Sequence, residues 1–325
     1  MPIDERYRSE LSRAAAAIDG GQRIGVLGHI GPDGDALGSA IALAHAARAA
    51  GKDAVASFGE PFVVPPEMSF LDLATLVAPS DFPADLDVVV ACDTAARDRL
   101  GSLAPAAEGA KTLVIIDHHR SNDGFGDVAL IDPEAGATAQ LVFYLLEALG
   151  WTIDKPVATA LYTGLVTDTG RFQYSSTTSE VHQVAAQLLR AGVEPAVVGQ
   201  RLFEETPIAY YAVLARVMGR AVLEPERGLV WSVMELGDLE AAGIGYEGTD
   251  GLIDAVRIAE EADVACLLKE KEPGVLKGSL RSRGAVDVAQ IAGAFGGGGH
   301  HNAAGFTFAG TPDEAMGQIR GLLGR

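Results

Sequence analysis

Over the first 190 residues, short apolar runs alternate with longer segments of helical period, and each run stops at a polar or glycine-rich turn. Residues 24–27, 53–57, 87–92 and 113–116 read as strands; the last is Leu113-Val114-Ile115-Ile116, rich in β-branched residues. Helices are expected over 5–19, where Leu11, Ala14, Ala15 and Ile18 share a face and Gly20-Gly21 follows, and from the 31–39 turn to about Ala50. Further helices are expected over 138–149, closed by Gly150, over 156–167, and from a Ser179 cap to near Gly192. Residues 59–86, rich in Pro, Phe and Asp, read as a loop with one short helix. This alternation predicts an α/β fold, with a mostly parallel sheet and helices on both faces over 1–192.

Residues 193–218 are helical in pattern and lack a Pro/Gly tether, so they are expected to be a connector that packs. A second strand pattern begins at 228–235. A hairpin is expected from 263–269 and 274–281 around Lys271-Glu272-Pro273-Gly274, then a helix at 286–294, a strand to Phe308 and a helix at 312–323. Residues 219–325 thus form a smaller C-terminal α/β domain, and no internal repeat is visible.

Composition narrows the function classes. A chain of 325 residues with 48% hydrophobic content has enough material for two cores. A net charge of −19 argues against a protein that tracks along nucleic acid by neutralising many phosphates, although an acidic chain can gather divalent cations. Cys92 and Cys266 are too few for a disulfide framework or a zinc ribbon. No apolar run approaches the roughly 20 residues of a membrane span, and the first residues lack a signal-peptide pattern. No membrane association is therefore expected, and a cytoplasmic location is the default.

The candidate chemistry collects at strand ends, where α/β sheets place their ligands. His29 follows the first strand, and Asp33 and Asp35 lie in the turn that opens the next helix; Asp93 ends another strand. Asp117-His118-His119 follow the run at 113–116, and Asp168 ends a helix. Asp33 and Asp35 also suit turn and helix-cap positions, which accounts for either carboxylate but not for His29. Together His29, His118, Asp33, Asp35, Asp93 and Asp168 offer two imidazoles and four carboxylates. Two divalent metals need such a set, with one carboxylate bridging, and the mixed nitrogen and oxygen donors favour Mn²⁺. In the second half, Gly296 to Gly299 let backbone N–H groups approach a phosphate or base, and Arg281 ends a strand with a fork suited to a terminal phosphate. Lys277 and Arg283 read as solvated edge charges.

The pattern His29-x-x-x-Asp33-x-Asp35, then Asp93, then Asp117-His118-His119, then Asp168, resembles the DHH phosphoesterase superfamily. Gly-Gly-Gly-Gly-His at 296–300, followed by Ala303-Ala304-Gly305 and preceded by Ser279-Leu280-Arg281-Ser282, resembles its DHHA1 domain. The likeness covers nearly the whole chain and is strongest to the NrnA-like subgroup, which degrades very short RNAs and dephosphorylates adenosine 3′,5′-bisphosphate (pAp). Some actinobacterial members also hydrolyse cyclic dinucleotides. The resemblance implies a DHH catalytic domain, a DHHA1 substrate-binding domain and an active site in the cleft between them. It implies that His29 and Asp33 bind one metal, that Asp35, His118 and Asp168 bind the other, and that Asp93 bridges them. Asp117 would support a ligand imidazole from behind, and His119 would face the scissile phosphate as donor or general acid. Arg281, Gly297, Gly298, Gly299 and His300 would hold the substrate.

Three alternatives stay open. An inorganic pyrophosphatase of the same superfamily would share the metal set but carry a basic Ser-Arg-Lys-Lys-type string, which is absent here. A single-strand exonuclease would need a basic, aromatic-lined track, at odds with −19 and 6% aromatics. A non-catalytic nucleotide sensor would not need an intact ligand set. Self-association into a homodimer also stays open.

Overall fold

The computed structural model describes residues 8–246, 248–249 and 251–324. Residues 5–7 of the helix expected over 5–19 lie outside these. The chain forms two compact units that divide between Glu205 and Thr206. The expected connector at 193–218 is two helices, one in each unit. Pro207, which cannot extend the first helix, precedes the second.

The first unit runs α1 (Arg8–Gly20), β1 (Arg23–Gly28), α2 (Gly34–Ala49), β2 (Asp53–Phe58), β3 (Val88–Cys92), α3 (Ala104–Glu108), β4 (Thr112–Asp117), β5 (Val128–Ile131), α4 (Thr138–Leu149), α5 (Lys155–Asp168), α6 (Ser179–Arg190) and α7 (Pro195–Phe203). Its sheet is five-stranded, in the order β2-β1-β3-β4-β5, and every pairing is parallel. Register places Val26 beside Val90 and Val90 beside Val114. These side chains, fully buried, form one apolar row beneath α1, α2 and α4, on which α5 packs in turn. Burying each is worth about 1.5–3 kcal/mol relative to leaving it exposed. Leu27, Ala91 and Ile115 point the other way, into a smaller core with Leu100, Leu103 and Ala107. Helices thus cover both faces unequally: α1, α2 and α4 on one side, the five-residue α3 and neighbouring turns on the other. The stretch 59–86 holds three short 3₁₀ turns in place of one helix.

Two glycines set how closely α2 and α5 approach. A Cβ at Gly38 would lie 2.3 Å from the Ala160 carbonyl oxygen, and one at Gly164 would lie 2.6 Å from Asp35 Oδ1. Only glycine permits this approach, and it brings the end of α5 to the start of α2.

The second unit contains α8 (Ile208–Gly219), β6 (Val222–Glu224), β7 (Leu229–Met234), α9 (Leu236–Ala242), α10 (Leu252–Val256), β8 (Val264–Glu272), β9 (Val275–Ser282), α11 (Val288–Gly293), β10 (Gly298–His300), β11 (Ala303–Ala309) and α12 (Pro312–Leu323). Its six strands are ordered β10-β11-β9-β8-β7-β6. The expected hairpin is β8–β9, antiparallel, and only β7–β8 is parallel. Along β8, Val264, Cys266 and Leu268 join a core with α11 and α12, while Ala265 and Leu267 join one with α8, α9 and α10. The strand is buried on both faces, which is why it reads as an unbroken apolar run.

Candidate metal centre

β1, β3 and β4 end side by side, and each delivers a polar group at its carboxyl end. His29 directly follows β1, Asp93 follows β3, and β4 ends on Asp117 with His118 and His119 next. Asp93 holds a left-handed backbone conformation, φ 53°. Asp tolerates this better than most residues, and such strain is characteristic of functional sites. A hydrogen bond from its N–H to the Ile116 carbonyl, 2.9 Å, keeps it there.

α2 contributes Asp33 and Asp35. Asp33 Oδ1 caps the helix, accepting from the N–H groups of Asp35 and Ala36 at 3.1 and 3.0 Å. Its other oxygen lies 3.7 Å from His29 Nε2. The capping role and the ligand role thus fall to different oxygens of one carboxylate. Asp35 is fully buried. It accepts from Ser39 Oγ (3.2 Å) and from the N–H groups of Thr138 (2.5 Å) and Ala139 (2.8 Å) at the start of α4. Asp168, the last residue of α5, brings Oδ2 to 3.0 Å from His118 Nε2.

Two donor groups emerge. Nε2 of His29 faces Asp33 and Asp93, each at 3.7 Å. Nε2 of His118 faces Asp168 at 3.0 Å, Asp93 at 3.5 Å and Asp35 at 3.8 Å. Each trio has its donor atoms within 4.8 Å of one another, the spread expected of ligands around one ion. Asp93 faces His29 with Oδ2 and His118 with Oδ1, so it stands between the two groups.

The electrostatics show what the cluster lacks. Burial, then the neighbouring carboxylates of Asp35, Asp33 and Asp168, push the Asp93 carboxyl well above its usual range. Asp35 is pushed up to about 7 by burial and by Asp168. Burial opposes charge on His118, but Asp168, Asp93 and Asp35 outweigh it and raise the imidazole well above its ordinary value. Asp33 is more exposed than the other carboxylates; the desolvation that opposes its charge is outweighed by His29, which bonds and faces it and holds its carboxyl low. Buried like charges repel strongly, and a divalent cation in each trio would neutralise them. This donor set therefore fits two hard or borderline cations.

The Asp-His-His segment divides its work differently from the sequence expectation. Asp117 Oδ1 accepts from His119 Nδ1 at 2.8 Å and from the His118 backbone N–H at 2.8 Å. The imidazole it holds is that of His119; the His118 ring contacts the Ala135 carbonyl through Nδ1, at 3.2 Å. Burial opposes charge on Asp117, yet the hydrogen bond and charge of His119 bring its carboxyl below the usual range.

Sequence reasoning missed two residues here. Thr138 is fully buried, and its hydroxyl donates to Asp93 Oδ1 at 3.0 Å. Arg99, in the 3₁₀ segment after β3, places Nη2 3.0 Å from His29 Nδ1. Their partners lie 45 and 70 residues away, so no local motif marks either one.

In the second unit, Lys277, Ser279 and Arg281 alternate along β9 and share a face. Opposite them on β11 stand Thr307, Gly305 and Ala303. The small residues at the last two positions leave a groove of about 340 Å³, also lined by Ala304, Gly298 and Gly299. Of the residues proposed from sequence to hold substrate, Arg281, Gly298 and Gly299 line this groove, and Gly297 and His300 are not among its lining. Gly297 is needed for packing instead, since a Cβ there would lie 2.1 Å from the Gly305 carbonyl oxygen. His300 is exposed at the end of β10. Lys277 lines the groove in place of being a plain edge charge, because β-strand alternation puts it on the face of Arg281. Arg283 is structural and donates to the carbonyls of Ala259 (2.8 Å) and Glu260 (3.1 Å).

A parallel α/β unit with a buried carboxylate–imidazole centre at its strand ends, followed by a mixed-sheet unit with a basic groove, defines a two-domain protein with a candidate divalent-metal centre. Residues 23–165 match the model of the DHH family N-terminal domain, and residues 241–321 match the DHHA1 domain. The bifunctional oligoribonuclease and PAP phosphatase NrnA of Thermus thermophilus is 36% identical over 287 residues, covering 87% of this chain and 83% of that protein. NrnA of Bacillus subtilis is 28% identical, covering 85% and 86%. A crystal structure of an exopolyphosphatase-related protein from Bacteroides fragilis superposes with a TM-score of 0.89 at 23% identity, over 97% of this chain and 96% of that one. The chain belongs to the DHH–DHHA1 phosphoesterase family, in its NrnA-like branch.

Proposed function

We propose that this protein is a phosphoesterase that hydrolyses short oligoribonucleotides and linear dinucleotides with two divalent metal ions, most favourably Mn²⁺, and that also accepts pAp or cyclic dinucleotides. One observation carries the reading: His29, Asp33 and Asp93 form one donor trio and Asp35, His118 and Asp168 another, and Asp93 of the first also stands 3.5 Å from His118 of the second. The identity to an oligoribonuclease and PAP phosphatase supports the substrate class.

In this reading His29, Asp33 and Asp93 hold one ion and Asp35, His118, Asp168 and Asp93 the other. When bound, the pair supplies an activated water and charge neutralisation at a phosphoryl group. The chain's own residues do the rest. Asp117 fixes the His119 ring through Nδ1, which positions His119 to donate a proton toward the phosphate or its leaving oxygen. The Asp35 carboxylate is locked by three donors and cannot rotate out of place. In the second unit, Arg281, with Lys277 and the backbone around Gly298 and Gly299, forms a groove suited to a substrate phosphate.

The test is a substrate panel under Mn²⁺, from mononucleotide to decamer, with an EDTA control. Contacts made by the far end of a short ligand can orient the scissile bond, and a longer strand gains nothing beyond them. The fastest hydrolysis is expected for about two to four nucleotides, with a steep fall by about ten, since a net charge of −19 and 6% aromatics do not suggest a stacking track. Arg281→Ala should raise KM far more than it lowers kcat. Equal rates per end on a dimer and a long strand would overturn the short-substrate reading in favour of an exonuclease.

A further inference from the structure

His29 Nδ1 has two neighbours that ask for opposite protonation. The Ile30 carbonyl oxygen, 3.0 Å away, needs a proton on Nδ1, whereas Arg99 Nη2, also 3.0 Å away, needs a lone pair there. A neutral imidazole satisfies only one of these at a time. If Nε2 is to be a metal ligand it must keep its lone pair, and the proton must then stand on Nδ1. In that tautomer the Ile30 contact is kept and Arg99 loses its acceptor.

Arg99 cannot then drift far. Its carbonyl accepts the Ile30 N–H at 2.8 Å, tying its turn to the end of β1. Two residues on, Gly101 lies so close to the Ile30 side chain that a Cβ would come within 2.5 Å of it. The side chain is exposed, and among the described residues it makes no ion pair with a carboxylate, in a chain of net charge −19. An exposed guanidinium 3.0 Å from the imidazole that Asp33 and Asp93 face, with no acid of its own, is arranged for an incoming anion.

We propose that Arg99 is the phosphate-binding arginine of the first unit. Its Nη2 lies 3.0 Å from His29 Nδ1, and from there it donates to a non-bridging oxygen of the scissile phosphate. The role rests on the phosphoesterase reading above. A guanidinium suits it because its fork pairs with two phosphate oxygens and cannot lose its proton, and because charge building on those oxygens is where fixed positive charge is most effective.

The experiment compares the full-length protein with Arg99→Ala and Arg99→Lys. Mn²⁺ is titrated calorimetrically without substrate, inorganic phosphate is titrated into the Mn²⁺-loaded protein, and kcat and KM are measured on a ribodinucleotide. Losing a charged hydrogen bond to phosphate corresponds to roughly tenfold or more. Arg99→Ala should weaken phosphate binding and lower kcat/KM by that factor, with Mn²⁺ affinity unchanged or tighter because a competitor for His29 is gone. Arg99→Lys should restore part of the phosphate affinity. A Mn²⁺ affinity that falls roughly tenfold in Arg99→Ala would overturn the proposal and make Arg99 a support for His29. Wild-type phosphate affinity in Arg99→Ala would overturn it as well. If the wild-type protein cleaves no phosphoester, the enzymatic reading fails, and the phosphate titration still decides the role of Arg99.

Discussion

The hydroxyl of Thr138 holds the carboxylate on which both donor trios depend, so its removal is a sharp test of the site. Thr138→Val keeps the branched shape and removes one hydrogen bond, from Oγ1 to Asp93 Oδ1. The backbone N–H of residue 138 still donates to Asp35, so only the Asp93 arm changes. A hydrogen bond to a charged group is worth about 1.5–3 kcal/mol. In the metal-free protein, burial and neighbouring carboxylates push the Asp93 carboxyl toward its neutral form, and a hydrogen bond to a neutral group is worth nearer about 1 kcal/mol. The difference falls on metal binding, which requires the ionised carboxylate. Mn²⁺ affinity should drop roughly tenfold or more, as for other groups that support metal ligands from behind. The assay is a calorimetric titration of Mn²⁺ without substrate, paired with thermal unfolding of the metal-free chain. Thr138→Ser, which retains the donor, should bind within about threefold of wild type, a difference of less than 1 kcal/mol. A valine variant that titrates like wild type, or a serine variant as impaired as valine, would refute the reasoning.

Three further outcomes are expected. Gly164→Ala puts a methyl 2.6 Å from Asp35 Oδ1 and 2.9 Å from Ala139 Cβ; it should destabilise the chain by about 1–3 kcal/mol and weaken Mn²⁺ binding, read by denaturant unfolding and calorimetry. Mn²⁺ at a hundred times its Kd should stabilise the fold by about 2.7 kcal/mol per site, seen as a rise in Tm that EDTA reverses; no rise would count against both trios as cation sites. Glu224 accepts from Arg320 Nε and Nη2 (3.0 and 2.7 Å) and Trp231 Nε1 (2.9 Å), and Arg320 holds its carboxyl below the ordinary 4.5 against partial burial. A depressed carboxyl stabilises the fold above its unfolded value and loses that contribution as pH falls through the folded one. Glu224→Gln should therefore cost about 1–3 kcal/mol near neutral pH, and the gap to wild type should close as pH drops below 4.5.

What could be read from the chain was what local pattern encodes. The buried strands at 87–92 and 113–116 announce themselves by β-branched runs, and a parallel sheet then forces His29, Asp93 and His118 to neighbouring strand ends. β5 was not legible: its four residues, Val128–Ile131, form a sheet edge too short to show a period. α6 is capped by Thr178, whose hydroxyl accepts from Val181 N–H, and not by the adjacent Ser179; two neighbouring hydroxyls cannot be ranked without backbone geometry. At Asp117 the motif was visible but the partner was not, because two adjacent imidazoles compete for one carboxylate and only the turn geometry selects His119. Thr138 and Arg99 act through chain-distant partners, which a single sequence does not encode locally.

The way three helices meet this centre explains why it demands cations. α2 and α4 turn their amino ends toward it, so their N–H groups bind Asp33 and Asp35 and their dipoles favour negative charge. Those two helices make a cluster of carboxylates affordable, but they offer no mobile positive charge. α5 does the opposite: its carboxyl end carries Asp168, adding a carboxylate to the negative pole of a helix. Structural economy would place a lysine or arginine there. In the protein alone, a proton on Asp35 or Asp93 and a charge on His118 are the remaining means of relief, and the raised values of all three reflect that. Asp93 adds backbone strain at φ 53° to the same balance. A fold that concentrates repulsion and strain at one sheet edge, while its glycines hold α2 and α5 too close for the repulsion to relax, gives up stability there. Divalent ions in both trios would return it, which ties the fold's stability to the same ions that its chemistry requires.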